Sequence, residues 1–173
     1  MAIPRRHIVD SSTSGFYHCI SRCVRRAFLC GHDPVTGNNC DHRKVWLEKR
    51  MLELAEIFAV KLYAYAIMDN HYHLVLYIDP VAPKCWTDEQ VAEKWILAYP
   101  GQAKFREARK QVLLNDKEKL KKYRYRLGNL SWFMSRLNEP LAKKSNAEDY
   151  VKGRFWESRF TSIALLDETA VLS

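Results

Sequence analysis

Residues 60–78 hold two strand-like runs with almost nothing between them. Val-Lys-Leu-Tyr-Ala-Tyr-Ala-Ile-Met fills residues 60–68 and His-Tyr-His-Leu-Val-Leu-Tyr-Ile fills residues 71–78. Both are rich in the β-branched and aromatic side chains that suit a pleated surface. The link is Asp69-Asn70, a pair of turn formers, so the two runs are expected to fold back on each other as an antiparallel hairpin. Asp79, Pro80 and Pro83 end the second run, because proline cannot donate to a ladder.

The rest of the chain can be read around that hairpin. Residues 15–23, Gly-Phe-Tyr-His-Cys-Ile-Ser-Arg-Cys, alternate bulky apolar with polar side chains and predict a first strand. A Gly-, Asn- and Asp-rich loop over residues 31–41 leads to a helix over residues 42–58, where Trp46, Met51, Leu54 and Ile57, with Leu47 and Phe58, recur at helical spacing. A further helix is expected to start at Thr87, an N-cap with Gln90 three residues on, and to turn Val91, Trp95 and Ile96 inward. Residues 102–126 read as a basic helical stretch, with only Glu107, Asp116 and Glu118 against its many lysines and arginines. Residues 129–142 predict a helix with Leu130, Phe133, Met134 and Leu137 on its apolar side. Residues 159–166 predict a last strand, and Asp167-Glu168-Thr169 the opening of a helix. The order strand, helix, strand, strand, helix, strand fits an α+β, ferredoxin-like (RRM-like) antiparallel sheet with helices on one face. The basic segment at residues 84–127 is then a helical insertion after the His-x-His strand, within one domain over residues 1–173.

Composition narrows the class of partner. The chain carries a formal charge of +8, which favours a polyanion such as nucleic acid over an anionic membrane surface. No run of about 18 uncharged apolar residues occurs, and the start, Met-Ala-Ile-Pro-Arg-Arg, runs into a polar stretch, so no membrane partner and a cytoplasmic location are expected. The five cysteines form an odd set without regular spacing and read as reduced thiols. Cys30-Gly-His32 and Cys40-Asp-His42 repeat a Cys-x-His pattern, but structural zinc sites usually separate paired ligands by two to four residues.

On a strand, His71 and His73 project from one face a few ångströms apart. Two imidazoles so placed suit one divalent cation, each with its other ring nitrogen held by an acceptor. Taken alone, a His-x-His pair is more often two incidental histidines on a solvated face, because two ligands do not complete a site. The wider frame is more specific. Met68-Asp69-Asn70-His71-Tyr72-His73-Leu74-Val75 resembles the His-hydrophobic-His strand of the HUH endonucleases, and Ser21-Arg22-Cys23-Val24-Arg25-Arg26-Ala27-Phe28-Leu29 resembles the end of their first strand. Leu130-Ser131-Trp132-Phe133-Met134 and Gly153-Arg154-Phe155-Trp156-Glu157-Ser158-Arg159-Phe160 are similar to segments of REP-associated tyrosine transposases. The four segments occur in the family's order, from about residue 10 to the end.

The resemblance implies that His71 and His73 hold Mg²⁺ or Mn²⁺, which polarises a scissile phosphate in single-stranded or hairpin DNA while a tyrosine attacks to give a 5′-phosphotyrosine link. In the family that tyrosine lies on a helix after the final strand, followed four residues later by a polar residue that completes the metal site. This sequence has no tyrosine after Tyr150, so the nucleophile is expected beyond Ser173, with Tyr150 the least unsuited substitute. The chain as it stands is therefore expected to bind DNA and metal weakly and not to cleave. Arg22, Arg25, Arg26 and Arg159, with Lys121, Lys122, Arg124 and Arg126 interleaved with Tyr123 and Tyr125, are the expected DNA contacts. Trp156 and Phe160 are assigned to packing. The resemblance leaves monomer and homodimer both open. A second reading from a different class is a nucleic-acid-binding module without chemistry, whose aromatic platform should lie on the first and third strands. A third is a decayed transposase kept as a repressor of its intact relatives.

Overall fold

The computed structural model describes residues 12–24 and 27–165. Strands β1 (Gly15–Arg22), β2 (Val60–Ile67), β3 (His71–Ile78) and β4 (Thr161–Leu165) form one sheet in the order β2-β3-β1-β4, every neighbouring pair antiparallel. Helix α1 (Asp41–Ile57) connects β1 to β2, and α5 (Leu130–Glu148) precedes β4. Strand order and connection together are those of the ferredoxin-like fold. Three further helices, α2 (Asp88–Ala98), α3 (Arg106–Leu114) and α4 (Lys117–Leu127), lie between β3 and α5.

Alternation along the strands decides which face is covered. Tyr72, Leu74, Leu76 and Ile78 of β3, with Tyr17 and Cys19 of β1, are buried with Leu47, Met51 and Leu54 of α1 and Phe133, Met134 and Leu137 of α5 in one core. Each large aliphatic side chain so buried contributes roughly 1.5–3 kcal/mol. A polar chain runs through this packing. The Tyr72 hydroxyl donates to Asn138 Oδ1 at 2.6 Å, Asn138 Nδ2 donates to Ser21 Oγ at 2.9 Å, and Trp156 Nε1 donates to the Asn138 carbonyl at 2.9 Å. These bonds tie β3, β1 and the approach to β4 onto α5, directly beneath the histidine-bearing end of β3. Burial pushes the Tyr72 phenol well above its usual range, so it stays a neutral donor.

Helix boundaries follow local capping. Thr87 Oγ1 accepts from the Gln90 amide while Gln90 Oε1 accepts from the Thr87 amide, the reciprocal pair that the sequence predicts. The basic stretch at residues 102–126 is not one helix. It breaks at Asn115 and Asp116, because the Asp116 carboxylate accepts from the Lys119 amide and starts α4 afresh. Helix α5 runs to Glu148, past Pro140 and past the expected end near residue 142. Leu141 and Ser145 are buried beyond the proline, and the guanidinium of Arg43, only 1% exposed, holds the far end. It donates to Glu148 Oε2 and the Phe28 carbonyl at 2.8 Å each, and pairs with Asp149. The last strand starts at Thr161, two residues later than expected, and position 166 with the expected helical continuation lies outside the described residues.

Candidate metal and nucleic-acid site

Among the described residues, no helix covers the opposite face of the sheet. From β1 it presents Phe16, His18, Ile20 and Arg22, and from β3 His71, His73, Val75 and Tyr77, none of them buried. Pairing sets Arg22 opposite His71 and Ile20 opposite His73. The four strands contain no aspartate or glutamate.

Three imidazoles gather at one end of this face. The rings of His71 and His73 are 5.0 Å apart, and those of His73 and His18 are stacked at 5.1 Å. His71 Nδ1 lies 2.7 Å from Asn70 Oδ1, and since that carbonyl oxygen can only accept, Nδ1 carries the proton and Nε2 keeps its electron pair. His73 Nδ1 lies 2.9 Å from His18 Nε2. When His73 donates in that bond, both β3 imidazoles hold Nε2 available to a cation, which is the arrangement that orients ligand histidines in metal sites. Burial, then the charge of His73, lowers the pKa of His18; burial, then Arg22 and His73, lowers that of His71. The His71 shift favours the neutral ring that a ligand histidine requires. Among the described residues no group of three or more His, Cys, Asp or Glu is arranged to hold a metal ion. The two imidazole nitrogens would supply part of the shell of a divalent ion that accepts nitrogen beside oxygen ligands.

The expected site residues are distributed unevenly. Arg22 is exposed and lines a cleft with Cys23, Asp69, Asn70, His71 and Glu157. Arg25 and Arg26 lie outside the described residues. Arg159 is exposed and lines a groove between α5 and the segment before β4, with Phe155, Trp156 and Phe160. Phe160 is buried and Trp156 half-buried against Tyr72 and Phe155. On α4, Lys121 and Lys122 are exposed. Arg124 is instead held by Asp88 and by the Pro83 and Trp86 carbonyls. Arg126 stacks over Trp132 at 3.9 Å. Tyr150 is 96% exposed, has a left-handed backbone (φ 54°), and lines a cleft with His42, Arg43 and Glu148 that adjoins the one lined by His71 through Val24, Phe28 and Asp33. The Cys-x-His repeat does not converge either. Cys30 Sγ donates to the Met68 carbonyl, while His42 pairs with Glu148.

Sequence reading missed His18 and the role of Asn70. Parity along β1 was the available signal. Phe16, His18, Ile20 and Arg22 share one side, and a strand paired antiparallel with β3 had to bring one of them over His73.

No family model matches this sequence, and no curated protein matches it. A solved structure, that of a REP-associated tyrosine transposase bound to a REP hairpin, is similar with a TM-score of 0.49 and 10% identity, over 99% of this chain and 67% of that one. A likeness at that score decides nothing about this chain, whose fold is assigned by strand order and whose function has to be read from the residues above.

Proposed function

We propose that this chain is a transposase-like DNA-binding domain that holds the backbone of single-stranded or hairpin DNA against the open face of its sheet, with Mg²⁺ or Mn²⁺ held between His71 and His73. The observation that carries the reading is the pair of neighbouring imidazoles whose Nδ1 atoms are engaged by Asn70 and His18, beside Arg22, on strands without a carboxylate. When bound, the ion supplies Lewis acidity toward a phosphate oxygen. Arg22 supplies a planar guanidinium for the neighbouring phosphate, and Asn70 fixes the His71 tautomer. The sequence frame from Met68 to Val75 supports the same assignment through its resemblance to the HUH strand.

Binding is the activity assigned to these residues; Tyr150 lines a cleft with His42 and Glu148 that adjoins the one lined by His71, the two sharing Val24, Phe28 and Asp33. The alternative module without chemistry is favoured by one observation. Phe16 of β1 and Tyr77 of β3, directly paired, place aromatic rings on the open face where such a module would need them.

The test is calorimetric titration of the wild-type protein with Mn²⁺, repeated with the His71→Ala, His73→Ala double variant, together with DNA binding by fluorescence anisotropy with and without the ion. Mn²⁺ binding lost in the variant, and Mn²⁺-dependent strengthening of DNA binding lost with it, are expected. Equal Mn²⁺ binding by both proteins would remove the metal site, and DNA binding indifferent to the ion would leave the module without chemistry.

A further inference from the structure

At the end of the open face remote from His71, three rings stand together. Phe16 lies 5.1 Å from Tyr63 in an edge-on arrangement and 4.9 Å from Tyr77 at a tilt. They come from three strands, β1, β2 and β3, and the sequence brings them together through an irregularity. The β2-β3 register shifts between Leu62 and Ala64, so Tyr63 is the extra residue. Such a bulge re-aims its side chain, and here the ring reaches across β3 to Phe16. Tyr63 is 54% exposed, and Ile163 of β4, 50% exposed, stands opposite His18 further along the face.

A sheet face that meets only water reads polar at alternate positions. Outside the histidine cluster and Thr161, this one reads Phe16, Ile20, Val75, Tyr77 and Ile163, with cations Arg22 and Lys61 at its ends and no acidic residue in any strand. The apolar content calls for a partner, and the sign of the charge says which. A second copy of this +8 chain would set cation against cation. A single nucleic-acid strand brings flat apolar rings and a negative backbone together, the combination that aromatic side chains within a basic track accept.

We infer that Phe16, Tyr63 and Tyr77 form a nucleobase-stacking subsite, which takes the unpaired bases of the strand whose backbone is held at His71, His73 and Arg22. The inference rests on the DNA-binding function proposed above and adds a direction to it. From Phe16 to Arg22 along β1 is roughly 20 Å at the usual strand rise, long enough for phosphate to be gripped at one end and bases at the other.

The experiment compares two ligands of equal length, oligothymidylate of about eight nucleotides, within the site sizes of single-strand binders, and the same strand made abasic throughout. Each is titrated into the wild-type protein and into Tyr63→Ala, Tyr63→Leu and Tyr63→Phe, with thermal melts to establish folding. The subsite requires Tyr63→Ala and Tyr63→Leu to lose roughly five- to a hundred-fold in affinity for oligothymidylate. Affinity for the abasic strand and the salt slope should not move, and Tyr63→Phe should bind as wild type does. Equal losses for both ligands, or none, would overturn the subsite while leaving the DNA-binding function standing. Binding of neither ligand by the wild-type protein would remove both. A concentration-dependent dimer abolished by Tyr63→Ala in sedimentation, without the ligand-selective loss, would assign the rings to contact between copies.

Discussion

In the inserted helices Arg124 directs its guanidinium at Asp88 and at the carbonyls of Pro83 and Trp86, while on the open face Arg22 stands exposed beside His71 without a carboxylate partner among the described residues. The contrast extends to their neighbours. In the insertion Arg106 and Lys110 share Glu93, Lys117 pairs with Asp88, Lys119 with Asp116, and Arg109 donates to the Tyr99 carbonyl. Arg126 lies over Trp132, beside the stacked pair Trp95 and Tyr123. The insertion therefore engages many of its cations with its own carboxylates, carbonyls and rings, and Arg124 and Arg126 in particular help to dock α2, α4 and α5 to one another, while Lys121 and Lys122 stay exposed. Fewer cations on the open face leave more of their field for a ligand. Counting basic residues in a stretch of sequence measures something different from counting available charge.

The largest effect that would sharpen this contrast is on the metal. His71→Ala with His73→Ala should abolish Mn²⁺ binding on the open face, whereas Arg124→Ala should leave it untouched, both read by calorimetry. Next come the residues that orient the ligands. Asn70→Ala and His18→Ala should each weaken Mn²⁺ by about 10–100-fold, the usual consequence of losing an outer hydrogen-bond partner of a ligand histidine. If His18→Ala binds Mn²⁺ as wild type does, the bond to His73 only packs two rings.

Arg124→Ala should separate the regions from the other side. Asp88 and two carbonyls lose a shared donor, so a stability loss of about 1–3 kcal/mol is expected in denaturant melts, with DNA affinity and salt slope unchanged. A change in salt slope without loss of stability would reverse the assignment and make Arg124 a phosphate contact. Arg22→Ala is expected to do the opposite, reducing the salt slope by about one phosphate contact while the melt stays put. Lys121→Ala and Lys122→Ala, the exposed cations of α4, place the insertion on the same scale. Slopes reduced as much as by Arg22→Ala would make α4 a second DNA-binding surface.

Why the sequence disclosed one region better than the other is a matter of range. The hairpin, the capping box at Thr87 and the same-side placement of His71 and His73 depend on residues within a few positions of each other, where period and turn chemistry decide the outcome. The His18 contact spans 55 residues, the Arg43 pairs with Glu148 and Asp149 span 105 and 106, and the Arg124 bond to Asp88 spans 36, and each depends on which elements pack together. Asp116 shows a subtler limit. It stood among the basic residues as a stray charge, yet its carboxylate ends one helix and begins the next. Tyr63 would have been read as one more strand aromatic, because nothing local reveals a bulge.

The smallest expected effect separates the regions by acid. Asp88 has its pKa lowered chiefly by hydrogen bonding to Lys117, and Glu93 chiefly by Arg106. A carboxyl whose folded pKa lies below its unfolded one stabilises the fold above the unfolded value and loses that contribution as pH falls through the folded value. Both groups belong to the insertion, and both are largely solvated, so the loss is modest and screened by salt. The strands of the open face hold no carboxyl to titrate. As pH drops below the ordinary carboxylate range, amide protection in α3 and α4 should therefore decline before that in β1 and β3, by hydrogen exchange at low ionic strength. Added salt should narrow the gap between them. Simultaneous loss at every salt concentration would mean that the insertion's ion pairs contribute nothing of their own, and that stacking around Trp95 with the hydrogen bonds of Arg50 and Arg136 to the Ala98 carbonyl holds it to the sheet domain.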